Sequence, residues 1–119
     1  MNNLNAAVES FLAAQRGEVS TSTAVWYGRM LAAFLDFAGP VDLDDISPAM
    51  LRAYRAYLLD RELSLHSVHG HQRAVRRLFS WLLEEGCITR NVALKVPLVR
   101  LPPESPKALT DEDMGRLLT

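Results

Sequence analysis

Apolar residues recur at intervals of three and four over most of the chain, and no stretch sustains the every-second-residue alternation of a half-buried strand. The fold class expected from this pattern is all-α. A first helix is predicted from about Asn3 to Gln15, with Leu4, Val8, Phe11 and Leu12 on one face and Gly17 at its end. A second starts at Ser20 or Thr21, both good N-caps, and gathers Thr23, Tyr27, Met30, Leu31, Phe34 and Phe37 in one arc before Gly39-Pro40 stops it. The third has Ser47 as its cap and Pro48 at its first position, with Ile46 and Leu51 placed for a hydrophobic staple; Leu51, Tyr54 and Leu58 then face inward. After a tight turn at Leu63–Leu65, the fourth runs from about Ser64 to Glu85, with Val68, Val75, Leu78, Phe79 and Leu82 as its apolar arc and Gly86 as its C-cap.

Four amphipathic helices joined by short turns bury their stripes most simply as a compact four-helix bundle. Beyond Cys87 the chain turns extended and proline-bearing, with Pro97, Pro102, Pro103 and Pro106, and reads as a linker of limited flexibility. Thr110 is placed to cap a further helix over Asp111–Leu118 that stops with the chain, so Thr119 is expected to be a boundary rather than a natural end. The domain division that follows is a helical unit over 1–96, then a linker and the start of another unit over 97–119.

A length of 119 residues supports a single hydrophobic core, and a hydrophobic share of 49% is ordinary for a globular protein. No apolar run approaches the roughly 18 to 20 residues that cross a bilayer. The N-terminus lacks a secretion signal and the chain has one cysteine, Cys87, so the cytoplasm is the expected compartment and no membrane partner is expected.

A formal net charge of −1 argues at first against a polyanionic partner. The charge is unevenly spread, however. Up to Leu51, six acids (Glu9, Glu18, Asp36, Asp42, Asp44, Asp45) face two arginines, Arg16 and Arg29. From Arg52 to Arg77 the balance reverses, with six arginines (Arg52, Arg55, Arg61, Arg73, Arg76, Arg77) against Asp60 and Glu62, and all three histidines lie in this stretch.

On the fourth helix the arc opposite the apolar one holds His66, Arg73 and Arg77, flanked by His69, Gly70, Arg76 and Ser80. A cationic helix face of this kind suits the major groove of a duplex, where arginine meets guanine or phosphate and a glycine lets the helix approach a backbone closely. The plainer alternative is a solvated cationic face. The outer face of the second helix offers Thr21, Ser22, Val25 and Arg29, a set able to meet phosphate, although capping is the favoured role for Ser20 and Thr21.

Enzymatic constellations are not found. His66 and His71 point about 140° apart on a helix, so the histidines do not converge on one ion and no metal is expected. Cys87 reads as a packing residue, Asp42, Asp44 and Asp45 lack the spacing of a calcium loop, and no phosphate-cradling glycine loop occurs. Tyr27, Tyr54 and Tyr57 lie at core-facing positions and read as packing residues. No cofactor, no small-molecule ligand and no catalytic residue is expected in this chain.

The order of these residues resembles the N-terminal SAM-like, core-binding domain of the tyrosine recombinases of the phage integrase and Xer type. Ser20, Thr23, Tyr27, Leu31 and Phe34 match the family's second-helix pattern, and Ile46-Ser47 with Leu51, Tyr54 and Leu58 its third. Ser64, Ser67, Val75, Arg76, Phe79 and Trp81 resemble its fourth, followed by Gly86, Ile88 and Asn91, and then by Lys107 to Asp113 with Leu117-Leu118, similar to the start of a catalytic domain. Three positions depart from the pattern: Val92 stands where proline is usual, Lys107 for arginine and Asp113 for glutamate.

The resemblance implies a bundle that forms one arm of a C-shaped clamp on double-stranded DNA, with the second and fourth helices at the major groove. It implies other recombinase protomers as partners in a synaptic complex. The nucleophilic tyrosine and its activating groups would belong to a C-terminal domain. The DNA-binding residues expected on this reading are His66, Arg73, Arg76 and Arg77, with Ser67, His69 and Gly70 as close-approach positions and Ser22 and Arg29 as secondary contacts. The rival expectation is a helical protein–protein interaction module that docks through its basic helix.

Overall fold

A computed structural model describes residues 2–102. Its helices are α1 (Leu4–Gln15), α2 (Thr21–Ala38), α3 (Pro48–Asp60) and α4 (Leu65–Glu84), with 3-10 turns at Leu43–Asp45 and Val92–Lys95. Each start is set by a side-chain cap that satisfies a backbone N–H left over at the helix end. Asn3 accepts from the Ala6 amide at 2.7 Å, Ser20 from Thr23 at 3.2 Å, Ser47 from Met50 at 3.1 Å and Ser64 from Ser67 at 3.1 Å. Of the two caps offered by the sequence for α2, Ser20 therefore serves.

Left-handed residues close the turns. Gly17, Gly39 and Gly86 have φ of 82°, 68° and 80°, and Glu62 takes φ 61° in the turn between α3 and α4. The N-terminus is pinned by backbone hydrogen bonds from Leu4 N–H to the Val41 carbonyl and from Leu43 N–H to the Asn2 carbonyl. These bonds tie the start of α1 to the α2–α3 connection.

α4 packs against α1, α2 and α3, so its apolar arc is the spine of the core. Val68, Val75, Leu78, Phe79 and Leu82 of α4 are buried, together with Leu4, Val8 and Phe11 of α1, Leu31 and Phe34 of α2, and Leu51, Tyr54 and Leu58 of α3. Phe11 meets Tyr27 and Trp81 edge-on at 5.3 and 5.6 Å. Tyr54 lies 5.0 Å from Phe34 and 5.2 Å from Phe37, which closes the α2–α3 side. No helix among the described residues is long and apolar enough to cross a membrane.

After α4 the chain stays in contact with the bundle. Asn91 caps the turn Val92–Lys95 by accepting from the Ala93 amide at 3.1 Å, and Ala93 and Val96 are buried in the core. Val92, standing where the resemblance leads one to expect proline, is the first residue of that turn. Residues 97–101 then lie against α3 and α4. The helix expected at 111–118 falls outside the described residues.

Candidate nucleic-acid interface

α2 and α4 cross so that the outer face of α4 and one flank of α2 form a shallow groove. Its floor is a close contact between Gly70 and Trp26: a Cβ built on Gly70 would lie 3.3 Å from Cζ2 of the indole. The space that glycine leaves on this helix face is thus occupied by tryptophan. This gives a physical reason for Gly70 different from the approach of an external backbone anticipated from the sequence.

Around the Trp26 indole the groove is lined at one end by His66, Ser67, His69 and Arg73, and at the other by His69, Arg73, Arg76 and Arg77. Seven of the nine residues singled out from the sequence (His66, Ser67, His69, Gly70, Arg73, Arg76, Arg77) are therefore brought together by one helix face. Ser22 and Arg29 are exposed on α2, a turn before and nearly a turn after Trp26, and do not line the groove.

The cations are not equivalent. Arg73 is exposed and Arg77 half-buried, and among the described residues neither guanidinium makes a hydrogen bond. Arg76 is half-buried and donates from Nη2 to the Val96 carbonyl at 2.9 Å, while its Nε is buried without a partner. One edge of Arg76 therefore holds the chain's own backbone, which the sequence did not reveal. Ser67 receives a hydrogen bond from the Ser64 hydroxyl at 3.2 Å, so its oxygen is already part of the α4 cap.

The groove has components that periodicity did not flag. Trp26, Tyr27 and Met30 supply its α2 side, and Leu98 and Leu101 from the segment after α4 border it on the other. Trp26 sits between the core arc of α2 and the polar residues picked on its outer face. A large aromatic at such a boundary position was the available signal.

The remaining titratable groups do other work. His71 lies on the far side of α4, in a depression with Asp36, Tyr57 and Arg61. Burial lowers its pKa below the ordinary histidine value, with the nearby Met30 carbonyl partly offsetting this and Arg61 adding to it. The Tyr54 hydroxyl is pushed well above the ordinary tyrosine range, first by burial and then by Tyr57, which opposes formation of a nucleophilic phenoxide. Arg61 stacks on the Tyr57 ring at 5.4 Å and donates to its hydroxyl at 3.0 Å. Among the described residues no three His, Cys, Asp or Glu side chains are grouped to hold a metal ion.

A helical module with an arginine- and histidine-lined groove between two helices is the class defined by this geometry. Residues 3–96 match the phage integrase SAM-like domain family, and the chain belongs to it. It is 32% identical over 117 residues to the tyrosine recombinase XerC of Xanthomonas campestris pv. campestris, an alignment covering 94% of this chain and 36% of that protein. To XerC of Shigella flexneri serotype 5b it is 28% identical over 123 residues, covering 99% of the chain and 41% of the relative. The chain thus spans well under half the length of the curated relatives it matches, and it corresponds to an N-terminal SAM-like domain of tyrosine recombinases.

Solved structures agree on the fold. An integrase-like domain from Bacillus cereus superposes with a TM-score of 0.72 at 23% identity, covering 82% of this chain and 84% of that one. A lambda integrase dimer bound to a COC' core site superposes with a TM-score of 0.77 at 16% identity, covering 85% of this chain and 37% of that one.

Proposed function

We propose that this chain is the DNA-binding domain of a site-specific tyrosine recombinase, acting in DNA integration and recombination as one arm of a clamp on the recombination site. The observation that carries this reading is the convergence of Arg73, Arg76, Arg77, His66 and His69 around Trp26 in one groove on α4. Exposed guanidinium groups on a helix face meet phosphates and guanine edges in a major groove, and imidazoles add further donors. The lambda integrase with the same fold is bound to a core DNA site, which favours duplex DNA over an acidic protein as the occupant.

In this reading Arg73 and Arg77 are the principal contacts and Arg76 contributes through the edge not given to Val96. His66, Ser67 and His69 approach the duplex closely, Gly70 seats the Trp26 indole at the groove floor, and Ser22 and Arg29 touch the duplex at the periphery. Residues 1–96 form the arm, and the chain from 97 onward leads to the domain that carries strand cleavage. Tyr54 and Tyr57 take no part in that chemistry, because their rings serve as packing for α2 and α3. Other protomers of the same recombinase are the expected neighbours on the DNA, and the cytoplasm is the expected compartment.

The test is a fluorescence-anisotropy titration of a random duplex. Three phosphate contacts give a log–log salt slope of about −2.7, so raising salt from about 50 to about 200 mM lowers affinity roughly 40-fold. The Arg73→Glu, Arg77→Glu double variant is expected to lose binding at both concentrations. Equal binding by variant and parent would refute the groove as a DNA surface and turn attention to a protein partner.

A further inference from the structure

Gln72 is a polar residue in the wrong place for a simple helix face. It lies one turn after Val68 and one before Val75, both buried, and is itself only 7% exposed. A buried amide is costly unless both its nitrogen and its oxygen find partners nearby. Both ends of this one are used by the same short segment: Nε2 donates to the Pro97 carbonyl at 3.2 Å, and Oε1 accepts from the Val99 amide at 2.7 Å. The side chain grips the backbone on either side of Leu98 much as a neighbouring strand's peptide group would.

Two arginines complete the grip. Arg55 of α3 donates to the same Pro97 carbonyl at 3.0 Å, and Arg76 holds the Val96 carbonyl. Segment 96–101 is thereby fastened across the α3–α4 junction as a strap. It runs along α4 toward that helix's N-terminus, because Leu98 borders the end of the groove at Arg76 and Arg77 and Leu101 the end at His66 and Ser67.

Such a strap either screens the groove or forms part of it, and charge decides between the two. A segment that screens cations brings carboxylates to them. Residues 96–101 read Val-Pro-Leu-Val-Arg-Leu, contain no acid, and add an exposed arginine, Arg100.

We propose that the strap is a third wall of the groove, with Gln72 as the positioning residue that fastens it and Arg100 as a further phosphate-contacting residue. The inference rests on the DNA-binding reading of the groove. Gln72 touches no nucleic acid; it acts by holding residues 97–99 so that Arg100 lies along the duplex.

The experiment uses the 119-residue chain and a random duplex. Arg100→Gln is expected to weaken binding roughly 8-fold at about 0.1 M salt and to reduce the salt slope by about 0.9, the effect of one phosphate contact. Gln72→Met keeps the side chain's length without its hydrogen bonds. It is expected to give a similar loss and to speed hydrogen exchange at the Val99 amide, while Arg100→Gln added to it weakens binding by no more than about 2-fold, because a loosened strap no longer presents Arg100. Arg55→Met, which removes a second donor to Pro97 from outside α4, should reproduce part of this loss and tests the strap if Gln72→Met does not fold. If Arg100→Gln binds like the parent while Arg73→Gln does not, the strap is no part of the DNA surface although the groove is. Should the Gln72 and Arg100 losses multiply in the double variant, Gln72 does not act through the strap. If Arg73→Gln and Arg100→Gln are both silent, the DNA-binding reading fails and the proposal with it.

Discussion

Arg73 and Arg76 lie three residues apart on α4 and border the same groove, yet their surroundings assign them different work. Replacing Arg76 with glutamine removes the donor to the Val96 carbonyl and leaves that carbonyl without its partner. A hydrogen bond to a charged group is worth about 1.5–3 kcal/mol, and the partial exposure of Arg76 brings the expected loss to about 1–2 kcal/mol. For a domain of this size that lowers the Tm by roughly 5 to 15 °C. Arg73→Gln removes an exposed group that makes no hydrogen bond among the described residues, so its stability should stay within about 0.5 kcal/mol of the parent. Its consequence should appear in DNA binding, as a salt slope shallower by about 0.9. Thermal unfolding followed by circular dichroism, alongside anisotropy titrations at several salt concentrations, separates the two effects. Arg73→Gln unfolding as early as Arg76→Gln would refute this division, as would an Arg76→Gln variant that unfolds with the parent.

Two glycines in helix interiors provide a matched pair: a Cβ on Gly28 meets nothing within 4 Å, so Gly28→Ala should gain about 0.5–1 kcal/mol from helix propensity, read as a higher urea midpoint. Gly70→Val must displace the Trp26 indole, with an expected cost of about 1–2 kcal/mol and a red-shifted tryptophan emission; an unshifted spectrum would mean that the indole does not rest on Gly70. Burial depresses the His71 pKa relative to the unfolded chain, so as pH falls the unfolded chain takes up its proton first and stability is lost. His71→Gln should flatten the dependence of the urea midpoint between about pH 7.5 and about pH 5.5, and an unchanged slope would show that burial of this ring does not set it.

Much of the architecture is written in local pattern. Helix ends follow from single residues whose effect reaches only one turn, so Asn3, Ser20, Ser47 and Ser64, together with Gly17, Gly39 and Gly86, delimit the helices in the structure much as their positions indicate. The fixed 100° step of a helix likewise makes its faces readable. It separates Val68, Val75, Leu78, Phe79 and Leu82 from Arg73 and Arg77, and sends His71 away from His66.

Tertiary packing decided the rest, because the partners are distant in sequence and carry no mutual mark. Nothing in the spacing of Trp26 announces that it rests on Gly70, since the two meet only through the crossing of α2 and α4. Gln72 in an apolar arc signals a buried amide, but its partners are backbone groups at Pro97 and Val99, which have no side-chain signature. Arg76 looks like its neighbours on a helical wheel until the Val96 carbonyl is brought against it. Residues 97–101 carry no helix, and backbone with unsatisfied peptide groups either stays in water or finds donors on the surface it crosses. Here Arg55, Gln72 and Arg76 supply those donors, and the sequence did not reveal the segment's place on the bundle.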